Sequence, residues 1–134
     1  MGKSFRHILI DSYEAGDQNW TIHFREDFKR LKGYDPLPWL MTMNAVITEG
    51  RKEEARIVAD ADQTARFEWD YRDVIKTLFF EGFRIGAEAM RDAGLTFQWE
   101  PYGGPFDRIA GPAMADVPMG EFWSNGNGAI DGGG

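Results

Sequence analysis

Cysteine is absent from this chain of 134 residues, and its absence excludes several kinds of site. Without a thiol the chain has no disulfide, no zinc–thiolate centre and no cysteine nucleophile. The absence assigns no compartment, because many secreted proteins also lack disulfides.

Basic charge is scarce, since 15 Lys and Arg residues stand against 22 Asp and Glu residues and give a net charge of −7. An acidic chain without a basic cluster repels the phosphates of nucleic acids and anionic membrane surfaces, whereas neutral and cationic ligands remain open. Long apolar runs are missing too: none approaches the roughly 20 residues of a membrane span, and the run Ile8–Ile10 is too short for a signal peptide. We therefore expect neither a nucleic-acid partner nor membrane insertion.

Several common catalytic motifs are also missing. No serine elbow supports acyl transfer, and the glycines at positions 103, 104, 126 and 128 do not form a dinucleotide fingerprint after a strand. The two histidines, His7 and His23, precede a strand and begin a helix, so we expect them to be structural.

The first part of the chain reads as strand, loop and helix. The apolar run within Phe5–Asp11 predicts a strand buried on both faces, as in a parallel sheet covered by helices. Residues 21–32 have apolar side chains at helical spacing, with Thr21 as the expected N-cap and Gly33 at the C-terminal end. The proline-containing segment Tyr34–Arg56 predicts a packed connection with short helical turns at most.

A long helix is predicted from Asp62 to Ala93, with Gly94 as its stop. Gly82 and Gly86 inside it indicate either a bend or close packing against a neighbour. A second strand follows at Leu95–Glu100, and a weaker third is predicted at residues 116–123, where Pro118 removes a hydrogen-bond donor. The glycine-rich residues 124–134 are expected to be a tail or loop.

Strands that alternate with helices predict an α/β fold with a parallel sheet of about three strands. A (β/α)8 barrel needs about 250 residues, so this chain supplies about half of one at most. It is either a small open sheet or a piece of something larger. We place the main domain at residues 1–123 and the tail at 124–134.

Three glutamates follow predicted strands: Glu14, Glu100 and Glu121. The carboxyl ends of parallel strands emerge on one face of the sheet, where ligands bind, so these carboxylates are expected to converge. One protonated and one ionised carboxyl suit the hydrolysis of a glycosidic bond. The third, together with Asp11, could bind calcium through its oxygen atoms.

Aromatic and amide side chains surround these acids in the sequence. Flat rings offer stacking surfaces for the C–H faces of sugars, and the amides of Gln18 and Asn19 can hydrogen-bond sugar hydroxyls or cap the following helix. Some of the rings must belong to the core, Phe122 first among them. The expected substrate-binding residues are Asp11, Tyr13, Gln18, Asn19, Trp20, Trp99, Tyr102 and Trp123.

Four segments carry a family resemblance: IDSYEAGDQNWT, RLKGYDPLPWL, WEPYGGPFD and ADVPMGEFW. Together they resemble the central part of the catalytic barrel of α-L-rhamnosidase-type glycoside hydrolases, from about Phe5 to Trp123. The resemblance implies a partial (β/α)8 barrel that contributes to the inverting hydrolysis of terminal α-L-rhamnosyl linkages in polysaccharides or glycosides, in an extracellular or periplasmic parent. It also implies that the remaining barrel strands lie outside this chain.

The resemblance further implies roles for the three glutamates. Glu14 would be the general acid, Glu121 the general base that activates water, and Glu100 a ligand of a calcium ion near the sugar.

Two other functions stay open from the residues. In one, the chain is a non-catalytic carbohydrate-binding or assembly module, whose aromatic rings bind sugar and whose carboxylates only orient hydroxyls. In the other it is a metal-dependent enzyme of a different reaction type that uses Asp11, Glu14 and Glu100.

Overall fold

A sheet of three short parallel strands carries the predicted site. In this computed structural model β1 is His7–Ile10, β2 is Thr96–Trp99 and β3 is Val117–Pro118, in the order β1-β2-β3. His7 lies opposite Thr96 and Ile10 opposite Trp99, while Gln98 pairs with Val117. The structure describes residues 4–16, 18–46, 58–105, 107, 109–120, 122–124 and 130–132.

The described residues also contain two α-helices and two 3₁₀ helices. Helix α1 is Phe24–Lys32, a 3₁₀ helix follows at Leu37–Val46, α2 is Ala61–Asp92, and a short 3₁₀ helix is Pro112–Met114. A second sheet pairs β4 (Phe122–Ser124) with β5 (Ile130–Gly132) in antiparallel fashion. Within the described residues, no helix is both long and apolar enough to span a membrane.

The chain divides into two compact units. The first contains residues 1–17 and 78–134, including the parallel sheet, and the second contains residues 18–77. Helix α2 contributes its N-terminal half to the second unit and its C-terminal half to the first.

The core of the first unit lies between β2 and the C-terminal half of α2. Phe97 and Trp99 are fully buried with Ala87 of α2, and the surrounding partly buried side chains are Ile10, Phe80, Phe83, Met90, Met114 and Ala115. The alternation along β2 is clear, because Thr96 and Gln98 are only half-buried. Strand β1 is different: Leu9 is 48% exposed and Ile8 and Ile10 are half-buried. The prediction that the first strand is buried on both faces is therefore wrong.

An acidic side chain fixes the N-terminal end of β3 to its neighbours. One oxygen of Asp116 accepts a hydrogen bond from the Phe97 amide at 2.8 Å, and the other accepts one from Nε of Arg91 at 2.9 Å. Arg91 also donates to the Met114 carbonyl. The Phe97 amide, followed by the Arg91 guanidinium, lowers the pKa of Asp116, so the carboxylate stays ionised and connects α2, β2 and β3.

The second unit has an aromatic core between α1 and the N-terminal half of α2. Phe24, Phe28 and Phe67 are at most 2% exposed, and Tyr71 packs on Phe24 with ring centroids 4.9 Å apart. Near the end of α1, Lys32 forms ion pairs with two α2 carboxylates, Asp70 at 3.0 Å and Asp73 at 2.8 Å. Burial lowers the pKa of Lys32, but the carboxylates more than offset this effect and raise it overall.

Most predicted element boundaries agree with the structure, with a few corrections. Gly33 ends α1 with a positive φ of 82°, and its amide donates to the Lys29 carbonyl as expected. Helix α1 begins two residues later than predicted, since its N-cap residue is His23 and not Thr21; the Thr21 hydroxyl accepts a hydrogen bond from the His23 amide. The segment 34–56 forms the 3₁₀ helix Leu37–Val46, and residues 47–57 lie outside the described part.

Three further expectations need correction. A Cβ built on Gly82 or Gly86 meets no described atom within 4 Å, so close packing against the described residues does not explain these glycines. The third parallel strand is predicted at residues 116–123 but covers only Val117–Pro118, and Phe122–Ser124 belongs to the second sheet. Residues Ile130–Gly132 form a strand where we expected loop, while the domain boundary at residue 123 stays a prediction.

Candidate active site

The segments that follow β1 and β2 lie side by side at the carboxyl end of the sheet. The Glu100 amide donates to the Ile10 carbonyl at 3.0 Å, which extends the strand ladder by one step. Beyond it, the Tyr13 amide donates to the Tyr102 carbonyl at 2.8 Å. Residues 11–14 and 100–103 are therefore neighbours although almost 90 residues separate them in the sequence.

The first of these segments orients Glu14 through a neighbouring serine. The Ser12 amide donates to Oδ1 of Asp11 at 2.9 Å, and its hydroxyl donates to Oε1 of Glu14 at 3.2 Å. Tyr13 points into the unit, where its hydroxyl is buried and its ring meets Phe79 edge-on at 5.6 Å. Glu14 and Asp11 are exposed, so both carboxylates can meet a ligand from solvent.

The second segment turns sharply after β2. The Tyr102 amide donates to the Glu100 carbonyl at 2.8 Å across Pro101, which is the pattern of a γ-turn, and the fixed φ of proline suits the centre of such a turn. Glu100 is half-buried at the sheet end, and the Tyr102 side chain is 45% exposed. The turn therefore places a carboxylate and an accessible aromatic ring together.

Strand β3 reaches the same end of the sheet. The Met119 amide donates to the Trp99 carbonyl at 2.9 Å, so the chain two residues before Glu121 runs alongside the end of β2. Glu121 itself lies outside the described residues, as does the side chain of Trp123, whose backbone belongs to β4. The predicted roles of these two residues stay predictions.

One predicted sugar platform belongs to the core. Trp99 is 0% exposed, and among the described residues its ring packs near Phe83 at 4.3 Å between centroids, Phe97 at 6.0 Å and Phe80 at 6.4 Å. Because its faces are covered by protein, the prediction that Trp99 stacks on a sugar is wrong.

Three other predicted substrate-binding residues belong to the second unit. Trp20 is 45% exposed and packs on Phe24 at 4.9 Å, and Gln18 is exposed. The backbone carbonyl of Asn19 accepts the hydroxyl of Tyr71 at 2.7 Å, which fixes this segment to α2 within the same unit. Their roles toward a sugar remain predictions.

Two residues at the parallel sheet were not among the predicted functional residues. The sequence around Asp116 does not indicate its role, because its hydrogen-bond partners lie 19 and 25 residues away in the chain. Gly103 looked like an ordinary loop glycine, yet a Cβ there would lie 2.7 Å from the Tyr13 carbonyl oxygen. The turn-forming sequence EPYGG indicated a reversal, but not which segment it meets.

The described residues do not by themselves form a calcium site. Carboxylates such as Glu100 and Asp11 are suitable ligands, but calcium takes six to eight oxygens. In the described part of the chain, no group of three or more His, Asp or Glu side chains is arranged to hold a metal ion.

Comparison with known proteins decides the family. A family model described as alpha-L-rhamnosidase, of the glycoside hydrolases, matches residues 1–131. This chain belongs to the α-L-rhamnosidase family. The resemblance found in the sequence is thereby confirmed.

The relatives of this family member include a solved enzyme. The rhamnosidase from Novosphingobium sp. PP1Y is 30% identical and superposes with a TM-score of 0.72 over 93% of this chain. This similarity confirms the α/β fold class, with three parallel strands and helices as in part of a rhamnosidase. A protein of Formosa agariphila named as a beta-glucuronidase is 36% identical over 130 residues.

The chain spans only a small part of both relatives. The two matches cover 94% and 93% of this chain, but only 10% of the Formosa protein and 12% of the Novosphingobium rhamnosidase. The activity of those whole proteins therefore enters only as a proposal.

Proposed function

We propose that this chain supplies part of the catalytic centre of a glycoside hydrolase that cleaves terminal α-L-rhamnosyl linkages. The observation that carries the proposal is the Tyr13–Tyr102 hydrogen bond at 2.8 Å, which joins the segments of Glu14 and Glu100 at the carboxyl end of a parallel sheet. Ligands bind at that end in α/β folds, and membership of a rhamnosidase family supplies the reaction class.

The proposed mechanism divides two proton tasks between two glutamates. Glu14, protonated, donates to the glycosidic oxygen as the bond to the anomeric carbon breaks, and Glu121, ionised, removes a proton from the attacking water. In an inverting enzyme the two carboxyl groups lie roughly 6.5–9.5 Å apart to admit that water. The hydroxyl of Ser12, which donates to Glu14 at 3.2 Å, holds the acid in place.

Charge favours a neutral sugar over a uronic acid at this end of the sheet. Asp11, Glu14 and Glu100 are all acidic, and the chain has a net charge of −7. With Glu14 protonated as the acid, a glucuronate carboxylate would still meet the like charges of Asp11 and Glu100, which weakens binding. The name of the Formosa relative makes β-glucuronides the appropriate competing substrate.

The test of this proposal is hydrolysis by the full-length protein that contains this sequence. We expect turnover of an aryl α-L-rhamnoside and little of an aryl β-D-glucuronide. Glu14→Gln and Glu121→Gln should each lower kcat by about 10²-fold or more, because general acid–base catalysis contributes roughly 10²–10⁴-fold. Glu88→Gln is the matched control, since Glu88 lies on α2 in an exposed ion pair with Arg84.

Unchanged turnover in both glutamine variants would remove the assignment of acid and base. Faster hydrolysis of the glucuronide than of the rhamnoside would contradict the proposed substrate class, while glycoside hydrolysis as the reaction type would stand. Rhamnose binding, followed by tryptophan fluorescence, without any hydrolysis would favour the carbohydrate-binding module.

Calcium remains part of the proposal, through Glu100. If the ion binds there, chelation with EDTA should lower rhamnoside turnover, and added calcium should restore it better than magnesium. Glu100→Gln should lose this response, and Glu88→Gln should keep it. A response to EDTA that Glu100→Gln leaves intact would place the ion elsewhere.

A further inference from the structure

At Gly103 the turn after β2 lies so near the Glu14 segment that it leaves no room for a side chain. This glycine has a positive φ of 75°, and a Cβ placed on it would lie 2.7 Å from the Tyr13 carbonyl oxygen and 3.6 Å from the carbonyl carbon. Real Cβ atoms do not come so close to a backbone oxygen, so a side chain here requires one segment to move.

The atom contacted is part of the peptide that carries Glu14. The Tyr13 carbonyl belongs to the Tyr13–Glu14 peptide bond, so any displacement of that oxygen moves the Glu14 backbone directly. The Tyr13 amide is held at the same time by the Tyr102 carbonyl, one residue before Gly103. The flexible end of a side chain could give way, but here the Cβ, whose position the Gly103 backbone fixes, would meet a backbone oxygen.

The Glu100 side of the contact is equally fixed. Its amide donates to the Ile10 carbonyl, and its carbonyl accepts the Tyr102 amide across Pro101. Only Pro101 and Tyr102 separate Gly103 from Glu100, and the backbone on both sides of Pro101 is hydrogen-bonded. A shift caused at Gly103 is therefore transmitted to the spacing between the Glu14 and Glu100 segments.

We propose that Gly103 is a positioning residue that sets the spacing between the Glu14 and Glu100 segments and thereby the placement of the acid. This inference rests on the proposed function for its catalytic consequence, while the spacing itself is a property of the fold. Gly103 acts through the Glu14 backbone and has no chemical step of its own.

Two substitutions at Gly103 separate the contact from the backbone strain. Gly103→Ala introduces a Cβ and an L-residue at positive φ, whereas Gly103→Asn introduces the same Cβ with a side chain that tolerates positive φ better. Gly94 is the matched control position, because it has a φ of 73° and a Cβ built on it meets no described atom within 4 Å. Gly94→Ala therefore carries the strain without the contact.

Kinetics in the full-length protein test the catalytic consequence. We expect kcat for an aryl α-L-rhamnoside to fall at least about tenfold in both Gly103 variants, with the pH profile of kcat shifted, because displacement of carboxylates changes their mutual influence. Gly94→Ala should retain kcat within about twofold and keep the profile. A loss of activity in Gly103→Ala that Gly103→Asn restores, or that leaves the pH profile unchanged, overturns the proposal, since strain or lost folded protein would then explain it.

Hydrogen exchange on the 134-residue chain tests the spacing without any substrate. The Tyr13 amide, bonded to the Tyr102 carbonyl, should exchange at least about tenfold faster in both Gly103 variants, and amides of the β1–β2 ladder should change less. An unchanged Tyr13 rate overturns the inference. If the unsubstituted full-length protein fails to hydrolyse any rhamnoside, the proposed function fails, and the Tyr13 rate still decides the structural claim.

Discussion

Individual charged residues stabilise this fold where their partners are fixed. Asp35 accepts hydrogen bonds from Nε and Nη2 of Arg25, and its Oδ1 also accepts the Leu37 amide at 3.1 Å at the start of the 3₁₀ helix. These bonds, the Arg25 bond foremost, lower the pKa of Asp35 from 3.8 to about 2. A lowered pKa in the folded state means that the ionised form stabilises the fold.

The sign of this linkage gives a prediction for acid unfolding. The contribution of Asp35 is fully present above its ordinary pKa of 3.8 and is lost as the pH falls through about 2. Asp35→Asn keeps a side-chain oxygen for the Leu37 amide but removes the charge, so its free energy of unfolding should fall less steeply between about pH 4 and pH 2. Urea unfolding at several pH values measures this.

Asp27→Asn is the control for that measurement. Asp27 forms an exposed ion pair with Arg30 on the same helix, at 3.0 Å, and such pairs contribute little. Equal pH dependence in the original chain and Asp35→Asn would contradict the assigned linkage.

At the scale of elements, helix α1 is stabilised more by aromatic packing against α2 than by the helix propensity of its own residues. Phe28 is 0% exposed and contacts Tyr34 edge-on at 5.0 Å and Phe67 at 5.8 Å. A helix of nine residues is marginal on its own in water, so its stability depends on this buried face. The Lys32 ion pairs with Asp70 and Asp73 add to the same junction.

Truncating the buried face should therefore destabilise the second unit. We expect Phe28→Ala to lower the free energy of unfolding by about 3–5 kcal/mol, because a large cavity forms in a closed core. Ile22→Ala, at a residue 87% exposed just before α1, should change it by less than about 0.5 kcal/mol. Denaturant unfolding compares the two, and similar losses would show that α1 is not held by its buried face.

At the scale of the whole molecule, the chain presents the edge and one face of a sheet without full cover. Within the described residues, β1 and β3 each pair with β2 alone, and Phe5 and Leu9 are about half exposed. Exposed sheet edges are normally covered or closed in larger folds. The chain spans only 10% of the Formosa protein and 12% of the Novosphingobium rhamnosidase.

This gives a prediction for activity. The isolated 134-residue chain should show no detectable turnover of an aryl α-L-rhamnoside, whereas a longer protein that contains it should hydrolyse the same substrate, because a preorganised site needs its whole supporting shell. Parallel assays at equal molar concentration measure the difference. Comparable kcat values would mean that the chain alone forms the complete site.

Several features followed from local sequence alone. The sequence predicts Gly33 and Gly94 at helix ends because glycine adopts a positive φ at little cost, and both have a positive φ in the structure. The strand and helix periods predicted the parallel α/β order, and the position of Glu14 and Glu100 after strands predicted their common sheet end. The quoted segments indicated the family, since they combine residues from distant parts of one site.

The tertiary structure decided what depends on distant contacts. The position of Trp99 beside Glu100 in the sequence WEPYG suggests a ring that stacks on sugar, but Phe80, Phe83 and Phe97 cover that ring. No local sequence pattern indicates that these three residues pack on it. The partners of Asp116 and the close approach of Gly103 to Tyr13 likewise join segments far apart in the chain. Sequence determines backbone preference and side-chain chemistry locally, whereas burial and spacing arise only when separate segments pack against each other.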